Sequence, residues 1–301
     1  MSDWIASQRF RTGNGAEIAY VDRGGGRPVV LLHGFPTTSA LWSAVAPAVA
    51  GQFRVIAPDL VGYGASSKPD HLPLHPRAQA GYVGELLRSL DVERFAVVGH
   101  DLGGAVAQLL ALDGGVDAMA LFDADSFDDW PIEGVRMLQA AQPGQEEPGF
   151  VGDVVDLALE LGATKAIADD LCAAFRDPFT FDPAAFFRAA RAIDGVGLSG
   201  RNDDLGALAV PTLIVWGEDD PYVGVEVADR LVEVLARPAL VTLPGCGHFT
   251  PLEAADVVAP LLEQFLATHL LGRGHEHGPE HAHGHTGPVM VPLGLGRRGE
   301  A

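Results

Sequence analysis

The chain has 301 residues, 48% of them hydrophobic, which suits one large α/β domain with an insertion or two small domains. Acidic residues number 40 against 20 basic ones, so the formal net charge is −20 at pH 7. An excess of negative charge on this scale repels phosphate backbones and anionic lipids, which argues against nucleic acids and membranes as partners.

Cysteine usage and the amino-terminal stretch predict the compartment. The two cysteines, Cys172 and Cys246, are too few for a disulfide framework and are typical of a cytosolic chain. The stretch MSDWIASQRFRTGNG contains early charges and no apolar segment, so no signal peptide is predicted. No apolar run reaches the ~18 residues that a membrane-spanning helix needs. We therefore expect a soluble, cytoplasmic protein.

Strand and helix signals alternate along most of the chain. Short β-branched runs bounded by turn residues predict strands at 17–22, 28–32, 53–60, 95–101, 118–124, 211–217 and 238–245. Helical spacing of apolar residues predicts helices at 39–50, 77–90, 103–112, 153–161, 164–175, 183–193 and 252 to about 270. Asp182 is the expected N-cap of the helix at 183–193, with Pro183 in its first turn.

This alternation predicts an α/β fold with a mostly parallel, doubly wound sheet and helices on both faces. The stretch between about 125 and 206 lacks strand signals, and we interpret it as a helical cap over the carboxyl ends of the strands. The tail is rich in Gly, Pro and His without periodicity, which predicts disorder. The predicted division is a core at 1–125 and 207–271, a cap at 126–206 and a tail at 272–301.

The stretch VVGHDLGG, at the junction of a strand and a helix, has the layout G-x-nucleophile-x-G with Asp101 at its centre. The glycines leave room for a strained turn, and the amide groups of the following helix stabilise negative charge there. A helix-capping aspartate is the competing interpretation of the isolated motif. Two further segments favour catalysis over capping.

The first of these segments, LPGCGHFTPLE, places His248 in a Gly-rich loop after the last strand, where a general base reaches the nucleophile turn. The second, LIVWGEDDPYV, ends a strand with two carboxylates. We predict that Asp220 holds the imidazole and that Asp219 faces solvent. The order nucleophile, acid, histidine matches that of α/β-hydrolases, and G-x-S-x-G occurs nowhere in the chain.

An aspartate at this position changes the expected reaction. With a reference pKa of ~3.9, Asp101 is anionic at pH 7 and can displace a leaving group from saturated carbon, forming an ester. His248 then takes a proton from water, which attacks the ester carbonyl. The oxyanion formed on Asp101 needs two amide donors, and we predict those of Leu102 and of Phe35 in LLHGFP. This cycle suits alkyl halides and epoxides.

On these residues the sequence resembles the α/β-hydrolase superfamily, specifically its epoxide hydrolase and haloalkane or haloacetate dehalogenase branches. The resemblance covers most of 28–265 outside the cap, in HGFPTTSALW, APDLVGYGASSKPD, VVGHDLGG, LIVWGEDDPYV and GCGHFTPLE. It implies an α/β-hydrolase fold, a cap and a covalent intermediate. Some dehalogenases keep the catalytic acid after the strand that precedes the cap, so Asp123 and Asp125 are secondary candidates.

The signature residues of each branch are absent. Haloalkane dehalogenases usually have tryptophan directly after the nucleophile, where this sequence has Leu102. Haloacetate dehalogenases carry arginines there, where Leu102 and Ala105 stand. Epoxide hydrolases use cap tyrosines as proton donors. The four tyrosines here lie outside the predicted cap, at Tyr20, Tyr63, Tyr82 and Tyr222. Their placement tilts the prediction slightly toward carbon–halogen bonds over epoxides.

The predicted cap is rich in aromatic residues, which favours a small, neutral, hydrophobic substrate. Phe127, Trp130 and His100 are the candidate pocket residues, and core packing is the competing interpretation of each. The tail segment HEHGPEHAHGH lacks the spacing of a structural metal site, so neither metal nor cofactor is expected. The alternative functions are an ester or lactone hydrolase with Asp101 as general base, and a non-catalytic ligand-binding protein.

Overall fold

The computed structural model describes residues 6–128, 130–141 and 149–272. The strands of this part are β1 Gln8–Arg11, β2 Glu17–Gly24, β3 Pro28–Leu32, β4 Arg54–Pro58, β5 Phe95–His100, β6 Val116–Phe122, β7 Thr212–Gly217 and β8 Pro238–Leu243. They form one sheet in the order β1-β2-β4-β3-β5-β6-β7-β8. The pairs β1–β2 and β2–β4 are antiparallel, and every other pair is parallel.

Helices flank this sheet and join its parallel strands. Their bounds are α1 Ala46–Ala50, α2 Pro76–Ser89, α3 Leu102–Asp113, α4 Glu133–Ala140, α5 Phe150–Gly162, α6 Asp169–Thr180, α7 Pro183–Arg191, α8 Asn202–Gly206, α9 Val225–Val234, α10 Thr250–Glu253 and α11 Ala255–Leu266. Every residue of β5, β6 and β7 is buried, as expected for central strands covered on both faces. Among the described helices, none is long and apolar enough to cross a bilayer.

Helices α4 to α8 are inserted between β6 and β7, over the carboxyl edge of the sheet. They pack on one another through the pairs α5–α6, α4–α7 and α6–α7. The rings of Phe179 in α6 and Phe186 in α7 lie 6.3 and 5.2 Å from the ring of Phe35, which follows β3. The insertion therefore covers the edge at which the strands of a parallel sheet present functional residues.

One buried carboxylate ties the insertion to the loop after β8. Glu253 Oε2 accepts hydrogen bonds from the backbone N–H of Thr164 at 2.7 Å and of Gly247 at 3.2 Å. Glu253 Oε1 accepts one from the N–H of Phe249 at 3.2 Å. The ammonium group of Lys165 also donates to the Glu253 carbonyl at 2.6 Å. We call this set of contacts the Glu253 tie.

The strand–helix alternation predicted from the sequence is confirmed, with local differences. The edge strand β1 and the helices α4, α8 and α9 were not predicted. Helix α6 begins at Asp169 and not at Thr164, because the Glu253 tie holds Thr164 in a non-helical connection. The predicted final helix is broken at Ala254 into α10 and α11. Asp182 caps α7 as predicted, its side chain accepting from the Ala185 N–H at 3.0 Å.

The division of the chain into core, cap and tail stays a prediction. Residues 273–301 of the predicted tail, including its histidine cluster, lie outside the described residues. Within the described ranges, no group of three or more His, Cys, Asp or Glu side chains is arranged to hold a metal ion.

Candidate active site

Asp101 occupies a sharp turn between β5 and α3. Its φ of 53° and ψ of −125° lie outside the regions that most residues adopt, which costs on the order of 1–3 kcal/mol and is typical of functional sites. The Asp101 carbonyl accepts hydrogen bonds from the N–H groups of Gly104 at 2.8 Å and Asp125 at 3.1 Å. Gly103 permits the close packing of this turn, since a Cβ there would lie 2.4 Å from the Leu32 carbonyl oxygen.

Two backbone amides hold the Asp101 carboxylate. The Phe35 N–H donates to Asp101 Oδ1 at 2.7 Å, and the Leu102 N–H, at the start of α3, helps to lower the pKa of the same carboxyl. Gly34 allows this approach, because a Cβ at that position would lie 2.0 Å from Asp101 Oδ1. The structure thus brings both amides predicted for an oxyanion hole onto one carboxylate.

His248 and Asp220 complete a trio of residues at the carboxyl ends of the strands. His248 Nδ1 lies 2.8 Å from Asp220 Oδ2, and His248 Nε2 lies 3.5 Å from Asp101 Oδ2. The other oxygen of Asp220 accepts from the N–H groups of Tyr222 at 2.8 Å and Val223 at 3.1 Å. Because these two backbone N–H groups fix the Asp220 carboxylate, it orients the imidazole of His248 with Nε2 toward Asp101. Asp219, the neighbouring carboxylate, is exposed.

His248 and Asp101 stabilise each other's charged forms. Burial disfavours the protonated form of His248, but the charges of Asp220 and Asp101 and the hydrogen bonds to them outweigh it and raise the pKa of His248 well above its ordinary value. Burial likewise opposes the charge of Asp101. The hydrogen bond to His248, the positive charge of that ring and the Leu102 N–H nevertheless lower the pKa of the Asp101 carboxyl. The free site therefore holds an aspartate anion beside an imidazolium at neutral pH.

A cavity of about 440 Å³ opens onto Asp101 and His248 between the sheet edge and the insertion. Its walls are predominantly apolar and come from α4, α5, α7 and the loops after β3 and β7. Two polar residues of this wall were not assigned to the pocket from the sequence, namely Asp125 and Tyr222. The Tyr222 hydroxyl donates to the Ala158 carbonyl at 2.7 Å, which fixes the ring in place.

The three side chains predicted to line the pocket lie elsewhere. His100 is fully buried behind His248, and its Nε2 contacts the His248 carbonyl at 2.8 Å. Burial and the charge of His248 lower the pKa of His100 to about 4, so the ring is neutral and serves packing. The Trp130 indole donates to the Phe127 carbonyl at 3.2 Å, and the Phe127 ring packs under the Arg230 guanidinium at 4.0 Å. None of the three borders the cavity at Asp101, so the pocket prediction is corrected here.

The two secondary acid candidates occupy different environments. Asp123 is fully buried, and its carboxyl accepts from the Gly217 N–H at 2.8 Å and from the Thr250 hydroxyl. It therefore joins the ends of β6 and β7 to α10 and does not contact His248. Asp125 borders the cavity, and its backbone N–H donates to the Asp101 carbonyl. Sequence spacing could not separate them, because both follow the same strand within three residues.

A mostly parallel sheet with a carboxylate turn, a histidine and a second carboxylate at its carboxyl edge defines a hydrolase with an α/β fold. The chain belongs to the alpha/beta hydrolase family, whose model matches residues 29–261. The predicted α/β-hydrolase fold is thereby confirmed. A solved α/β hydrolase fold protein from Burkholderia ambifaria superposes with a TM-score of 0.78 at 27% identity, covering 85% of this chain and 97% of that chain.

Curated relatives carry several different activities in their names. The chain is 29% identical over 252 residues to 2-hydroxymuconate semialdehyde hydrolase of Pseudomonas sp. strain CF600, covering 82% of this chain and 89% of the relative. It is 26% identical over 280 residues to haloalkane dehalogenase 2 of Mycobacterium bovis, covering 88% and 94%. Over a shorter span of 94 residues it is 47% identical to fluoroacetate dehalogenase of Burkholderia sp., covering 30% and 31%.

Proposed function

We propose that this protein hydrolyses small, neutral, hydrophobic molecules at an electrophilic saturated carbon, through a covalent ester on Asp101. The observation that carries the proposal is the position of the Asp101 carboxylate, with Oδ1 on the Phe35 N–H and Oδ2 beside His248. An anionic carboxylate at the floor of an apolar cavity is poorly solvated and strongly nucleophilic toward carbon.

The two oxygens of Asp101 have different roles in the first step. Oδ1 is bound by the Phe35 N–H, so it becomes the carbonyl oxygen of the ester. Oδ2 is the attacking atom and gives its electron pair to the substrate carbon, while the leaving group departs with the electrons of its own bond. The lowered pKa of Asp101 keeps it ionised for this attack, so no base is needed.

The second step depends on a change in His248. Ester formation removes the negative charge of Asp101, which is one cause of the raised pKa of His248. His248 then loses its proton and becomes a base for water, which attacks the ester carbonyl carbon. The N–H groups of Phe35 and Leu102 stabilise the oxyanion at Oδ1. Collapse releases an alcohol and restores the aspartate anion and the imidazolium.

Alkyl halides are the first substrate class we propose. For a halide, the sum is R–X plus water giving R–OH, a halide ion and a proton. Two relatives named as dehalogenases support this choice, and the apolar cavity wall suits an uncharged organic halide. Epoxides, which give diols by the same ester, are the alternative.

An ester hydrolase using Asp101 as general base is the second candidate function. The relative named 2-hydroxymuconate semialdehyde hydrolase has a carbonyl compound in its name, which favours hydrolysis at an activated carbonyl group over a saturated carbon. The electrostatics count against it, since a carboxyl whose pKa is lowered is a weak proton acceptor. A non-catalytic binding protein would not require the hydrogen-bonded trio at all.

Trapping the ester tests the proposal. His248→Gln leaves the nucleophile intact and removes the base, so incubation with 1-bromobutane is expected to add one butyl group to the intact protein. Peptide mapping should locate it on Asp101, and the doubly substituted Asp101→Asn, His248→Gln chain is the control. Absence of an adduct with bromides and epoxides, together with turnover of esters by the unmodified protein, would contradict the proposal.

A further inference from the structure

Asp125 is attached to the nucleophile turn and lies in the wall of the same cavity. Its backbone N–H donates to the Asp101 carbonyl at 3.1 Å, which holds the backbones of the two residues next to each other. Its side chain borders the cavity together with Asp101 and His248, and only 5% of the residue is exposed. A leaving group on a carbon held against Asp101 would therefore lie in the cavity that Asp125 also lines.

The carboxyl of Asp125 has no donor to stabilise a negative charge. Among the described residues, no N–H or O–H group hydrogen-bonds to it, whereas both oxygens of Asp123, two residues earlier, accept such bonds. Burial, followed by the negative charge of Asp101, raises the pKa of Asp125 well above the usual carboxyl range. Asp125 is therefore a neutral acid, with a proton that it does not share with the protein.

Other donors of the cavity wall are already engaged. The Phe35 and Leu102 amides bind Asp101, and the Tyr222 hydroxyl donates to Ala158. The described part of the wall contains no Lys, Arg, Trp, Asn or Gln. Asp125 is thus the one described side chain of the wall, apart from His248, that has a proton to offer to a substrate.

We propose that Asp125, as a neutral carboxylic acid, is the catalytic residue that protonates the leaving oxygen of an epoxide. This rests on the proposed ester mechanism and assigns epoxides to the same site as halides. Asp101 Oδ2 forms a bond to the ring carbon, the ring C–O bond breaks with its electrons on oxygen, and the Asp125 proton moves to that oxygen. The products of the step are a hydroxyalkyl ester and an Asp125 anion.

The proton balance closes within the site. The imidazolium of His248, no longer facing an Asp101 anion, passes its proton to Asp125 and becomes the base. Water then gives its proton to His248, and its hydroxide attacks the ester. The sum is epoxide plus water giving a diol, with Asp101, His248 and Asp125 back in their starting forms. A halide needs no proton to leave, so Asp125 matters less for halides.

Single-turnover ester formation, followed by mass spectrometry in the His248→Gln background, tests this with styrene oxide and 1-bromobutane. Asp125→Asn keeps the shape but has no transferable acid proton, so we expect the styrene oxide rate to fall ~10²–10⁴-fold and the bromobutane rate by less than ~10-fold. The exposed Asp128→Asn is the matched control in the same loop and should leave both rates unchanged. Circular dichroism verifies that each variant is folded.

A second readout does not depend on substrate. The infrared spectrum of the unmodified protein at pH 7 should contain carbonyl bands of protonated carboxyls that shift in D₂O, and Asp125→Asn should remove one of them. Equal losses with both probes, an unaffected styrene oxide rate, or no styrene oxide adduct while bromobutane reacts would overturn the role of Asp125. Failure of both probes to form an adduct would instead contradict the ester mechanism itself.

Discussion

His248 Nε2 lies 3.5 Å from Asp101 Oδ2, so the charge of the carboxylate and the proton of the imidazole depend on one another. In a serine hydrolase the corresponding pair is neutral before reaction, because a hydroxyl keeps its proton near neutral pH. Here both members are charged in the free site. Under the proposed mechanism, His248 therefore becomes a base only when an ester has replaced the Asp101 anion.

The first prediction follows from this coupling. Asp101→Asn has the uncharged side chain that an ester resembles, so the pKa of His248 should fall relative to the unmodified protein. The pKa falls because the substitution removes an anion that stabilises the imidazolium form of His248. Histidine NMR titration measures it, and Asp128→Asn should leave the His248 titration in place. An unchanged His248 titration in Asp101→Asn would refute the coupling.

The same reasoning predicts a pH dependence for turnover. Hydrolysis of the ester requires neutral His248, so the single-turnover hydrolysis rate should rise with pH and level off above the pKa that His248 has in the ester. Ester formation from 1-bromobutane requires only ionised Asp101, whose pKa is lowered, so its rate should stay constant over the same range. Rapid-quench mass measurements separate the two steps. Parallel pH profiles for both steps would contradict the assigned roles.

Replacement of Asp220 should separate the steps by mutation. Asp220→Asn removes the charge that holds His248, and we expect ester hydrolysis to slow by about 10³–10⁴-fold while ester formation changes little. The ester should therefore accumulate, which intact-protein mass detects. Asp219→Asn, at the adjacent exposed carboxylate, is the control and should turn over normally. If Asp125→Asn accumulated ester and Asp220→Asn did not, Asp125 would be the partner of His248.

Stability should reveal the neutral form of Asp125 independently of catalysis. Its pKa is raised on folding, so the folded chain binds a proton that the unfolded chain releases above pH ~4. The free energy of unfolding therefore falls as pH rises from about 4 toward the pKa that Asp125 has in the folded chain. At lower pH both states hold the proton, and Asp125 has no such effect. Asp125→Asn removes this pH-dependent loss, so its gain over the unmodified protein should increase by up to ~1.4 kcal/mol per pH unit. Urea unfolding at several pH values tests this, and a constant difference would contradict it.

The packing of the nucleophile turn predicts a contrast between two helical glycines. A Cβ on Gly103 would lie 2.4 Å from the Leu32 carbonyl and 2.6 Å from that of His33, so Gly103→Ala should lower the free energy of unfolding by about 1–3 kcal/mol. At Gly81 in α2, nothing lies within 4 Å of an added Cβ. Gly81→Ala should therefore raise stability by ~0.5–1 kcal/mol. Thermal unfolding compares them, and equal effects would show that the turn is loosely packed.

The strands and the trio were predictable because they depend on local patterns. Buried β-branched runs such as β3 and β5 identify central strands, and glycines around Asp101 indicate a close-packed turn. Topology then brings the ends of parallel strands together, which is why Asp220 and His248 could be placed near Asp101 from sequence alone.

The pocket wall could not be predicted in the same way. It depends on which face of each inserted helix points inward and on long-range contacts, and local spacing contains neither. The sequence predicts Trp130 as a pocket residue, but its indole N–H donates to the Phe127 carbonyl three residues away, outside the cavity. His100 adjoins Asp101 in sequence, yet its side chain lies behind His248 and contacts the His248 carbonyl.

The Glu253 tie has a mechanical consequence for the position of His248. The same carboxylate holds Thr164 of the insertion and the N–H groups of Gly247 and Phe249 on either side of His248. The His248 N–H also donates to the Gly162 carbonyl at 2.7 Å, at the end of α5. A displacement of the insertion at this end would therefore shift His248 relative to Asp101 and Asp220. The end of α5 and the loop that contains His248 are therefore held together as one unit, so a substitution at Glu253 is expected to disturb the position of His248.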